Sequence, residues 1–233
     1  MLDRRFAFLP VALFALACTE SIESTDVRTT GVYPEIEVVA TGNGQSEVKV
    51  LLKTGGSNSN TYLQLTGDDT LEVTVDGDTK TMDRSGDAYE ATFDVDAGGT
   101  EFTIAFLRGD ADEDAPESVV ALPEPFEMML GATSASRADD DLEYTWEPAG
   151  DGNASWALSG DCVSSDRGST PDDGSNDIAA GDIEPKFESD ADKSCTAKLS
   201  LERSQEGTID AAFTEGGSIV AKQVRTDSFT STP

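Results

Sequence analysis

Histidine is absent from this chain, which excludes a Ser-His-Asp or Cys-His nucleophile, a histidine-liganded zinc and an imidazole general base. Basic side chains are scarce. The 16 Lys and Arg stand against 46 Asp and Glu, a formal net charge of −30, so the clustered positive surface that nucleic acid requires cannot be assembled. Aromatic residues are 7% of the chain, few for the lined cleft in which a carboxylate-pair hydrolase holds its substrate. Only Lys, Tyr, Ser and carboxylates remain for chemistry, and no motif among them has catalytic spacing. The sequence therefore reads as a non-enzyme, with no cofactor expected.

What is present begins at the N-terminus. Arg4 and Arg5 precede an apolar run over residues 6–17, too short to span a bilayer as a helix, and small residues lead directly to Cys18. That order resembles a bacterial lipoprotein signal peptide, whose lipobox ends on a cysteine that is lipidated and becomes the mature N-terminus. The resemblance implies removal of residues 1–17, a lipid anchor on Cys18 and a membrane as partner. Ala15 and Leu16 stand where the family pattern has Leu and then Ala or Ser, so ordinary secretion with an unlipidated Cys18 is the alternative. Thr19 is not the Asp that marks inner-membrane retention in enteric bacteria, which favours the outer membrane.

Residues 18–33 are polar and without sustained periodicity, the pattern of a tether. From Pro34 the apolar residues alternate with period two: Ile36, Val38 and Ala40, then Val48, Val50 and Leu52, with comparable runs near residues 62–65, 71–75, 89–95, 102–106 and 119–122. Gly- and Asp-rich turns such as Gly42-Asn43-Gly44 and Asp76-Gly77 separate them. Short strands with no helical run predict an all-β fold of two antiparallel β-sandwiches, over residues 34–127 and 128–233. In the second, Leu142, Tyr144 and Trp146 alternate with polar residues, a turn follows at residues 148–153, and Trp156 and Leu158 continue the apolar face. This spacing predicts a hairpin with both tryptophans in one core. Ala197, Leu199 and Leu201 mark a later strand and Ile219, Ala221 and Gln223 a final one. With Cys18 assigned to the signal, Cys162 and Cys195 are an even pair in an exported chain and are expected to form a disulfide closing the polar loop between them. The strand rhythm behind such a signal resembles exported bacterial proteins built from tandem immunoglobulin-like or fibronectin-III-like sandwiches.

Two acidic stretches carry the one candidate metal site. Asp110, Asp112 and Asp114 alternate in a loop after the strand at residues 102–106, and Asp139 and Asp141 lie near the expected domain junction. Calcium takes six to eight such oxygens, and cadherin-like tandems bind it between domains; the competing reading is a solvated acidic loop. Arg108-Gly109-Asp110 spells an adhesion tripeptide that chance explains in this composition. The leading expectation is a lipid-anchored cell-envelope protein whose loops or edges contact another envelope protein or a polysaccharide. The alternatives are a calcium-dependent adhesion module and a carboxylate-dependent hydrolase.

Overall fold

Alternating β-branched and aromatic residues have no good helical packing, and the chain uses them as strands throughout. The structure, a computed structural model, describes residues 20–109 and 112–233; the expected signal peptide, Cys18 and Asp110 lie outside the described residues. The strands in the first half are β1 (Glu20–Glu23), β2 (Val32–Ala40), β3 (Ser46–Thr54), β4 (Thr61–Gln64), β5 (Thr70–Val75), β6 (Asp78–Thr81), β7 (Asp83–Ser85), β8 (Ala88–Phe93), β9 (Glu101–Leu107) and β10 (Ala115–Ala121). They are followed by β11 (Glu127–Leu130), β12 (Ser134–Ser136), β13 (Leu142–Glu147), β14 (Asn153–Gly160), β15 (Asp166–Pro171), β16 (Ser175–Ile178), β17 (Cys195–Glu206) and β18 (Ser218–Thr232). Among the described residues no helix is long and apolar enough to cross a membrane.

One large sheet runs β1-β4-β3-β2-β18-β17-β14-β15, with β8 and β12 attached to β3 and β18 and β7 attached to β8. A four-stranded sheet, β10-β9-β5-β6, packs on its first part, and a three-stranded sheet, β11-β13-β16, on its second. The fold is all-β and sandwich-like. Most pairings are antiparallel, but β1 with β4, β12 with β18 and β18 with β2 are parallel. Two apolar cores result. The first gathers Val48, Val50, Leu71, Val73, Phe102 and Phe106 with Phe213, Ile219 and Ala221 from the far end of the chain. The second gathers Leu142, Tyr144, Trp146, Leu158, Leu199 and Phe229. The central strands present alternate positions to a core, as in the strict alternation of β2 and β13.

Three features differ from the expectations. The segment expected as a tether is part of the fold from Glu20 onward: β1 adds to the edge of the large sheet, and Ser24 and Thr29 are buried. Its polar composition hid this, because what holds it is backbone pairing to β4, the buried Arg108 and the two apolar contacts of Ile22 and Val27 rather than a sustained apolar periodicity. The expected boundary before Met128 is crossed by the sheet itself, since the 15-residue β18 pairs with β2 through residues 218–223 and with β12 through residues 230–232. Finally, β13 and β14 do not form a hairpin. They lie in different sheets, β13 between β11 and β16 and β14 between β15 and β17. A strand's alternation names its buried face but not its neighbour, and a hairpin and a sheet-crossing arch bury the same residues. Trp146 and Trp156 accordingly still share one core.

Candidate functional site

Four of this chain's arginines, Arg108, Arg137, Arg203 and Arg225, are buried, each set where distant segments converge. Arg203 on β17 lies flat against Asp172, with Nε to Oδ2 at 2.5 Å and Nη2 to Oδ1 at 2.8 Å. The same carboxylate accepts the Trp146 indole N–H at 2.6 Å. Burial alone raises the pKa of Asp172, but the hydrogen bonds from Arg203 and Trp146 outweigh it and hold the carboxyl below its usual range. Arg203 Nη2 also donates to the Pro148 carbonyl, which pins the arch between β13 and β14. Phe126 lies under both the Arg203 and Arg225 guanidinium groups, at 4.8 and 5.2 Å from the ring centre. Arg225 also presses on the turn after β2, where a Cβ on Gly42 would come within 2.7 Å of the guanidinium.

Arg137 organises the loop between the two cysteines. Its Nη2 donates to the carbonyls of Asp190, Ala191 and Lys193 at 3.2, 2.7 and 3.0 Å, at the end of a single 3-10 turn, Glu188–Asp190. Cys162 and Cys195 form the expected disulfide, joining the end of β14 to the start of β17 with Cα atoms 5.8 Å apart. Further ties run from Ser164 N–H to the Glu184 carbonyl at 2.8 Å and from Lys186 N–H to the Cys162 carbonyl at 3.1 Å. A loop of such polar composition is thereby held as a wall.

That wall and β14 enclose a cleft of about 460 Å³. Its floor is Leu158, Ile178 and Ile183, all buried, and Trp156, which is half-buried. Asp166, Asp177, Asp182 and Glu184 stand exposed around it, with Ser164 and Ser165. The indole of Trp156 lies across Gly168, its partner on β15, where a Cβ would meet the ring at 2.7 Å. Glycine at this position is what lets the ring reach the sheet edge. Tyr144 and Trp146 are core, each 1% exposed, as their alternation predicts, whereas Trp156 is at the periphery of that core. The acidic rim was not legible in the sequence. The available signals were Gly168 opposite a tryptophan and two isoleucines isolated in a polar loop.

Of the candidate calcium ligands among the described residues, Asp112, Asp114 and Asp141 each accept a backbone N–H. Asp112 Oδ2 accepts the Thr29 N–H at 2.8 Å and lies 4.0 Å from Arg108 Nη1; the backbone N–H of Thr29, first among its influences, keeps its carboxyl below the usual range. Asp114 Oδ1 accepts the Arg108 N–H at 2.6 Å. Asp141 Oδ1 accepts the Ala180 N–H at 2.8 Å and so shapes the turn leading into the cleft wall, while Asp139 is exposed beside it. Asp112 and Asp114 thus border the first core, and Asp139 and Asp141 the second. Among the described residues no group of three or more His, Cys, Asp or Glu has metal-holding geometry. Arg108 is 1% exposed and bonded to Asp69, Thr29, Ser24 and Val27, so its side chain is not displayed for adhesion.

No protein-family model matches the chain, and no curated protein matches it.

Proposed function

We propose that this is a lipid-anchored protein of the bacterial cell envelope, two sandwich-like halves in tandem, that binds a neutral or amine-bearing saccharide in the cleft of its second half. The observation that carries the reading is Trp156, a half-exposed indole on an apolar floor inside a ring of carboxylates. Sugar rings stack their C–H faces on an indole, and carboxylates accept hydrogen bonds from hydroxyl or ammonium groups in the same plane. Four acidic side chains in a body of net charge −30 repel an anionic polysaccharide. The anchor supplies the location, and the disulfide suits the oxidising side of the inner membrane.

The test is calorimetry and tryptophan fluorescence of the full chain with neutral, amino-substituted and uronate oligosaccharides. Binding on the order of millimolar or tighter by a neutral or amino sugar is expected, abolished by Trp156→Ala and by Gly168→Val, which displaces the indole. Equal binding by uronates, or no response to any sugar, overturns the assignment. Release of reducing ends from a bound oligosaccharide would make the protein a hydrolase instead.

A further inference from the structure

We infer that the outer face of the large sheet at its β1 end, centred on Tyr33 and Tyr62, is the surface that rests on the lipid bilayer. The inference depends on Cys18 carrying the anchor. β1 begins at Glu20, which pairs with Thr61, and two residues of extended chain reach at most about 7 Å. The anchor therefore gives the body almost no leash, and whichever surface surrounds Glu20 and Thr61 must meet the headgroups.

That surface differs from the rest of the molecule in two ways. Residues 54–67, the turn after β3 and all of β4, include no charged side chain in a chain that is 27% charged. Beside this neutral stretch, Tyr33 on β2 and Tyr62 on β4 both pair with Lys53 on β3, so the three side chains stand in a row on one face. Lys53 is ion-paired with Glu35 at 2.7 Å and donates to the Ser57 carbonyl at 3.1 Å, so it adds no net charge. Of the four tyrosines, Tyr89 and Tyr144 are buried, and the two half-exposed ones are here. Lys53 itself is buried between them, and partly exposed tyrosines are side chains that settle at a membrane interface. A strongly acidic body anchored this closely is repelled by anionic headgroups least at such a nearly neutral patch, which is bordered on β1 by the exposed Glu23, the partner of Gln64. The saccharide cleft lies well away from this patch: Ser218 lies level with Glu35, while Trp156 and Leu158 lie level with Arg225 and Asp227 through β17, an offset of roughly 23–30 Å along the strands at about 3.3 Å per residue.

The experiment uses the full lipidated chain in vesicles of phosphatidylethanolamine and phosphatidylglycerol containing a phosphatidylcholine brominated in its acyl chains. The native Trp146 and Trp156 serve as distant controls, and Tyr62→Trp and, separately, Tyr33→Trp place an indole in the patch. Both variants are first matched to the parent in urea midpoint. The expected result is a blue shift and loss of the added emission in brominated vesicles, with native emission unchanged. Vesicle-bound variants whose added indole is not quenched overturn the orientation while leaving the anchor intact. A wild-type chain that does not float with vesicles, or a Cys18→Ser chain that floats equally well, overturns the anchor and the inference with it.

Discussion

Asp172→Asn isolates the buried ion pair that ties β17, the arch at Pro148 and the core tryptophan together. Both carboxylate oxygens face N–H donors, Oδ1 from Trp146 and Arg203 and Oδ2 from Arg203. An asparagine offers one acceptor and must turn its NH2 toward a donor, so one N–H is orphaned and the Arg203 charge is left buried without a counterion. Removing one partner of a buried pair costs about 3–5 kcal/mol, which for a chain of this size is a fall in Tm of roughly 6–20 °C. Urea unfolding followed by tryptophan fluorescence reads the loss, since Trp146 is itself a member of the network. The pH dependence supplies an independent check. Asp172 titrates below its ordinary 3.8 in the folded protein; a depressed pKa contributes stability that is complete above the unfolded value and disappears as pH falls through the folded one. The stability difference between wild type and Asp172→Asn should be flat above 3.8 and close at lower pH. In a cycle with Arg203→Met the two sites should couple by about 1–3 kcal/mol. A loss below about 1 kcal/mol, the worth of an exposed pair, or a difference that persists unchanged into acid, refutes the reasoning.

Replacing Cys162 and Cys195 together by Ser opens a loop of sequence separation 33 and should cost roughly 4 kcal/mol by chain entropy; scanning calorimetry should show the drop, and sugar titration should show weaker binding as the cleft wall loosens. Adding reductant to the wild type should reproduce it. Arg108→Met removes the bonds to the Ser24 and Val27 carbonyls and strands Asp69. Hydrogen exchange should accelerate over residues 20–31 while β13 and β17 keep their protection; uniform acceleration throughout would refute a local lock.

Strand positions were legible because period-two alternation is a local property: Ile36, Val38 and Ala40, or Leu142, Tyr144 and Trp146, declare a buried face from a few residues. The cysteine pairing followed from arithmetic in the same way. The cleft was not legible. Trp156 has the alternation of a core residue, and only its neighbour Gly168 and the wall set by Arg137 and the disulfide leave it half-exposed.

By itself the sequence determined the all-β class, the disulfide and the exclusion of histidine chemistry, since each depends on composition or on spacing along the chain. Tertiary structure alone decided which strands are neighbours. It set β18 beside β2, sent the chain from β13 across to β14 in another sheet, and folded residues 20–31 onto Arg108, a contact 84 residues away from Ser24. The physical reason is that alternation fixes which side of a strand is apolar, whereas pairing depends on backbone hydrogen bonds common to every sequence and on a few buried charges. Four arginines in a chain of net charge −30 must each find carbonyls or a carboxylate in the interior, and that requirement selects partners no local pattern records.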